Sequence, residues 1–282
     1  MAKVLAQPAG DPVVKSLISP VKSIARRVGV RRSGVAALRM RTERNVLALM
    51  SKPRPATSGR ILCYHSVGTP QWGVNDVTPE QFRDHIESAV QLGYRFVPAA
   101  TIAQGAGESN DLAITFDDGL LSICDAAAPI LSEYGIPWSV FVVTGWADGI
   151  HAFGQGIVMG WREIESLAAR GVEIGSHSKT HPDFGSLPLD EARAELVESR
   201  QAIEKLIGVA PSAFAIPLGH SKNWSSAAFG AAVDAGYERI YAQSVINRPR
   251  STVARTFITT CDDSRLFKAA LDGAFDAWEE WV

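Results

Sequence analysis

The chain has 282 residues, 46% hydrophobic and 21% charged, with a mean hydropathy of +0.03. That is the composition of a soluble globular protein, long enough for one large α/β domain or two small ones. No stretch approaches the ~20 uninterrupted apolar residues of a membrane-spanning helix. Three cysteines (Cys63, Cys124 and Cys261) without a CxxC spacing argue against a disulfide framework and a thiolate zinc site, and all three read as small core residues. The net charge of −2 hides an asymmetry: residues 1–58 hold 12 of the 28 Lys/Arg but, of the 30 acidic residues, only Asp11 and Glu43.

Such a basic leader on an acidic body points to contact with an anionic surface. Residues 14–28 alternate apolar and basic positions at roughly helical spacing, as a helix lying on anionic lipid would. No apolar core or small-residue cleavage site follows the early charges, so the leader does not read as a secretory signal. A cytoplasmic protein, peripheral to the inner membrane face, is the expectation, and the lack of interleaved aromatics argues against nucleic acid. The oligomeric state is not legible. The Pro/Ser/Gly-rich stretch 51–59 is read as a linker, dividing a partly helical or disordered extension (1–58) from a single domain (59–282).

Within that domain, 60–66 reads as the first core strand, ending on Tyr64-His65. Thr78-Pro79-Glu80 opens a helix over 78–92, with Thr78 as N-cap and Phe82, Ile86 and Val90 on its buried face. Strands are expected at 94–97, 112–119, 137–143, 171–175, 212–217, 239–242 and 255–258. Helices are expected at 121–134, 160–170, 189–207, 227–235 and 264–278, and a loop at 104–110. Strands alternating with helices imply a mostly parallel sheet wrapped by helices, with catalytic groups at the carboxyl ends of the strands. Periodicity does not separate a closed barrel from an open doubly wound sheet.

Two motifs sit at such ends. Thr115-Phe116-Asp117-Asp118-Gly119 ends a buried strand in two adjacent carboxylates, whose mutual repulsion calls for a cation or another partner. Gly175-Ser176-His177-Ser178-Lys179-Thr180-His181 places two histidines four apart after another strand. One carboxylate and two imidazoles make a three-ligand set with open positions, the arrangement of a catalytic divalent metal, with the second aspartate free to act as a base.

Together these stretches resemble the first two motifs of the polysaccharide deacetylase family, the NodB-homology carbohydrate esterases. The resemblance runs from about residue 61 to 271. It implies an irregular (β/α) barrel, similar to a TIM barrel but with about seven strands. It also implies a metal held by Asp118, His177 and His181, with Asp117 as general base and a backbone N–H of the third motif on the oxyanion. Zinc suits that ligand set, with cobalt, nickel and iron open. The matching third motif, Ala215-Ile216-Pro217-Leu218-Gly219-His220, lacks the family's arginine, since Ala215 stands there, and its tyrosine, replaced by Leu218. Arg255 resembles a late arginine of several branches and is the candidate substitute. The late family histidine is also missing, which leaves His220 as candidate general acid, with Asp262 and protonated Asp117 behind it. His65 is a candidate pocket residue, and Trp146, Trp161 and Trp224 are candidate sugar-stacking residues. The implied activity is metal-dependent removal of N-acetyl groups from an N-acetylhexosamine-containing glycan or glycolipid. A small-substrate C–N hydrolase, such as a deformylase or cyclic amide hydrolase, and a degenerate carbohydrate-binding member are the alternatives.

Overall fold

The structure is a computed structural model that describes residues 32–53, 56–153, 156–244 and 248–278. The chain divides into two compact units, residues 1–43 and 44–282. The expected leader helix at 14–28 lies outside the described residues. A helix spans Arg32–Met50. Among the described residues no helix is long and apolar enough to cross a membrane.

The second unit is organised around parallel strands. In chain order they are β1 (Arg60–Tyr64), β2 (Ser66–Val67), β3 (Asp76–Val77), β4 (Arg95–Phe96), β5 (Asp111–Phe116), β6 (Trp138–Val142), β7 (Glu173–Ser176), β8 (Ala213–Ala215), β9 (Arg239–Tyr241) and β10 (Thr256–Phe257). Seven form one continuous path, β10-β1-β5-β6-β7-β8-β9, while β4 shares an edge of β5 with β6, and β2 pairs with β3 alone. A parallel bridge between Tyr241 and Val253 joins the end of β9 to the segment that enters β10. That bridge turns the sheet back on itself, an irregular barrel rather than an open doubly wound sheet.

Parallel strands are covered on both faces, which is why β1, β5 and β6 are buried along their whole length. One face fills the barrel: Ile61, Ala113, Phe141, Ala213, Ala215 and Tyr241 pack together there. The other supports the helices, as Phe214 and Ile240 do against Leu196, Ala228 and Ala232. With a side-chain period of two, the face that carries Ala113 also carries Thr115 and Asp117. Likewise the face that carries Ile61 carries Cys63.

Most predicted elements appear with shifted ends. Thr78 caps the helix Pro79–Gln91 by accepting from the Gln81 N–H. Its buried stripe is Phe82, His85, Ile86 and Ala89 rather than one ending at Val90, which is exposed. The helix expected at 121–134 divides into a π-turn, Ile123–Ala127, and an α-helix, Ala128–Glu133. Pro129 has no N–H to give to the carbonyl four residues back, so the preceding turn widens. The last helix stops at Leu271 instead of 278. Beyond it the chain turns so that Asp276 meets Arg60 at 2.5 Å and the rings of Phe275 and Trp278 face the Arg44 guanidinium.

Candidate active site

The strands β5 and β7 lie on either side of β6, so residues that follow their carboxyl ends meet at one rim. After β5, the Asp117 N–H donates to the Tyr64 carbonyl, continuing the ladder for one residue. The backbone then turns left-handed at Asp118 and Gly119 (φ 71° and 69°). The two carboxylates therefore diverge. Asp117 points into the barrel and Asp118 stays at the rim.

The histidine stretch is held as tightly. The His177 N–H donates to the Val142 carbonyl, and its Nδ1–H donates to the Ala215 carbonyl at 2.9 Å. With Nδ1 protonated, Nε2 presents its lone pair to the cleft, which is how metal-ligating histidines are oriented. Burial pushes the His177 imidazolium down to about 4, so the ring is neutral at physiological pH. His181 comes round on a turn, not a helix. Its N–H donates to Ser178 Oγ, and Glu195 accepts from the N–H groups of Lys179 and Thr180 and from the Thr180 hydroxyl. Among the described residues five non-glycines have positive φ, and four of them (Asp118, Ser178, His181 and Leu218) lie in or beside this cleft. Left-handed backbone costs such residues roughly 1–2 kcal/mol each and persists where the surroundings over-determine it, typically at functional sites.

Asp118 Oδ1 lies 3.5 Å from Nε2 of both His177 and His181. It is buried and has no hydrogen-bond partner. Two ligands ~2.1 Å from a single ion at the tetrahedral angle are ~3.4 Å apart. An orphaned carboxylate oxygen, two imidazole lone pairs and that spacing fit a divalent cation. A second group (Cys63, His65 and Asp117) also brings ligand-type atoms together. There, however, Asp117 is already engaged: Arg255 Nη1 and Nη2 donate to its two oxygens at 2.6 and 2.7 Å, and the Cys63 thiol donates at 3.4 Å. Burial pushes the Asp117 carboxyl up, but the Arg255 guanidinium and then His177 outweigh it and hold the group well below the usual carboxylate range. Burial likewise raises the Cys63 thiol far above its ordinary value, so it remains a proton donor.

The cleft above these groups is about 110 Å³ and is also lined by His65, Asn75, Leu218, His220, Gln243 and Phe257. Arg255, which sequence reading offers as a substitute for the missing arginine, does reach Asp117. It gets there because β10 lies beside β1, and its guanidinium lies over the adjoining Phe141 and Tyr241 rings, 5.3 and 5.9 Å from their centroids. His65 and His220 both line the cleft. Asp262 does not: it is fully buried in a pair with Arg44, so it is not in line to serve as an acid. Of the three tryptophans, Trp146 stacks on His181 at 5.4 Å, whereas Trp161 donates to Asp148 and Trp224 is packed into the core with Phe184 and Phe214. Trp72, Asn75 and Gln243 escaped sequence reading, because they lie in irregular segments with no motif around them.

Residues 104–240 match the family model for polysaccharide deacetylases, a span that includes both aspartates, both histidines and His220. Over that span the chain is similar to the polysaccharide deacetylase family. The barrel is similar to that of the Streptococcus pyogenes deacetylase PplD, solved with acetate (TM-score 0.66, 18% identity, 78% of this chain and 99% of that one). It is also similar to IcaB from Ammonifex degensii (TM-score 0.64, 22% identity, 77% and 98%). At those identities the likeness is one of fold. Among curated relatives, Bacillus subtilis YxkH is 22% identical over 183 residues, 63% of this chain. The chain spans 62% of YxkH and 40% of a chitin deacetylase from Pestalotiopsis sp, less than two thirds of the length of either.

Proposed function

We propose that this chain is a divalent-metal-dependent hydrolase that removes the N-acetyl group from an N-acetylhexosamine unit of a glycan or glycolipid. The observation that carries the reading is the convergence of Asp118, His177 and His181 beside an Asp117 clamped by Arg255. Asp118 Oδ1 and the two Nε2 atoms would hold the ion, zinc being the metal best suited to them. Such an ion supplies Lewis acidity, lowering the pKa of water in the site and polarising the acyl carbonyl.

The protein's own groups account for the rest. Asp117 stays ionised and accepts the proton of the attacking water, while Arg255 fixes both of its oxygens so that the accepting lone pair faces the cleft. A weak base suffices when the water has already been made acidic. A backbone N–H of the third motif, whose Leu218 and Gly219 line the cleft wall, would meet the developing oxyanion. His220, buried at the same wall with 3% exposure, gives the leaving nitrogen the proton it needs to depart as a neutral amine. A volume of about 110 Å³ accommodates an acetyl group but not a sugar ring, so the sugar would lie outside, toward the face of Trp146. The name of the chitin deacetylase relative and the acetate bound in PplD support the same bond and product class.

The test is acetate release from N-acetylglucosamine oligomers by metal-loaded protein. Asp117→Asn should lower turnover about 10²–10⁴-fold with metal content unchanged. Turnover that survives this substitution would show that the base is elsewhere and the assignment wrong.

A further inference from the structure

Asp118 has two oxygens, and only one of them faces the histidines. The other, Oδ2, accepts a hydrogen bond from the Trp72 indole N–H at 3.0 Å. Trp72 stands on the short segment Pro70–Asn75, whose base is closed by the pairing of β2 with β3 and by Asp76, which accepts from the Ser66 hydroxyl and the Thr69 N–H. Next to Trp72 the backbone takes φ 65° and ψ −127° at Gly73, a conformation open essentially to glycine. The indole is also wedged among rings: Phe153 lies 5.0 Å and Trp146 6.4 Å from it, and Trp146 in turn stacks on His181.

On the metal reading given above, we infer that Trp72 is a positioning residue for the Asp118 carboxylate. The terminal torsion of an aspartate is broad and nearly two-fold, so an unheld carboxylate would swing between offering one oxygen, the other, or both. A donor on Oδ2 stops that rotation and aims Oδ1 at the point the two Nε2 atoms share. An indole suits the task because it is a donor only and has no lone pair with which to capture the ion itself. The same ring, through Trp146, backs the second histidine, so one residue steadies two of the three ligands from outside the coordination shell.

The experiment uses the full chain, stripped with a chelator, and titrates Co²⁺ against a chromophoric competitor while the visible spectrum is recorded. Trp72→Phe keeps a ring against Phe153 and Trp146 but removes the donor. It should weaken Co²⁺ binding about 10–100-fold, as loss of an outer-shell partner typically does, and shift the cobalt bands, with unfolding of the metal-free protein little changed. Trp72→Gln keeps an N–H donor and removes the ring, and should retain more affinity than the Phe variant. Unchanged affinity and spectrum in Trp72→Phe would overturn the inference. So would equal or greater weakening in Trp72→Gln, which would make the indole a packing element. If wild-type protein, folded, takes up no Co²⁺, the metal reading falls and this inference with it. Normal uptake by the wild type, with an indifferent Phe variant, removes only the inference.

Discussion

Arg255–Asp117 and Arg44–Asp262 are built from the same groups at the same distances. In each, two guanidinium nitrogens donate to the two carboxylate oxygens at 2.6 and 2.7 Å, and all four side chains are essentially buried. The difference lies in what else the carboxylate meets. Asp262 Oδ2 also accepts the Thr259 N–H and hydroxyl, and its backbone carbonyl receives His85 and Gln81. Asp117 instead borders the cleft, 4.0 Å from His177 Nε2, with a thiol as its remaining neighbour. A sealed ion pair therefore says little by itself about chemistry. An opening beside it, and groups there that lack partners, separate the candidate site from a staple.

Replacing each pair as a unit draws the sharpest contrast. Arg255→Met with Asp117→Leu should lower acetate release about 10²–10⁴-fold by removing the proposed base. Arg44→Met with Asp262→Leu should leave turnover per folded molecule near wild type. Loss of activity in the second double variant, at full folding by circular dichroism, would collapse the distinction. Breaking the structural pair comes next in size. Arg44→Ala strands a buried carboxylate and should cost about 3–5 kcal/mol in denaturant unfolding. The Arg44→Met, Asp262→Leu double variant should recover part of that, because a matched apolar pair replaces a pair whose desolvation was costly, while the buried Thr259 N–H loses its acceptor. An Arg44→Ala protein as stable as wild type would show that the pair contributes nothing.

The smallest effect concerns the histidine beside the staple. His85 Nε2–H donates to the Asp262 carbonyl at 2.6 Å, which leaves Nδ1 to accept from the Tyr64 hydroxyl at 3.1 Å. Burial lowers its folded pKa below the ordinary 6.5. The unfolded chain then takes up the proton first, so this contribution is present above pH 6.5 and is lost as the pH falls below it. Unfolding free energies at pH 7.5 and 5.5 should differ more in wild type than in His85→Gln, which keeps both hydrogen bonds without titrating. Equal slopes would locate the acid sensitivity elsewhere.

Amino-acid order alone was enough for whatever is encoded over a few residues. Asp117-Asp118-Gly119 after an apolar run and the His177–His181 spacing marked strand ends and metal-type ligands, because strand period, left-handed turns and side-chain chemistry are local properties. Thr78-Pro79 marked a helix start for the same reason. Tertiary structure alone decided what depends on closure. Val253 meets Tyr241 and turns an ambiguous sheet into a barrel; Arg255 reaches Asp117 only because β10 lies against β1; Arg44 finds Asp262 across 218 residues. It also divided the tryptophans, sending Trp224 to the core and Trp72, on a segment with no motif, to a candidate ligand. Contacts between distant segments are set by packing and barrel geometry, and no short window of sequence carries that information.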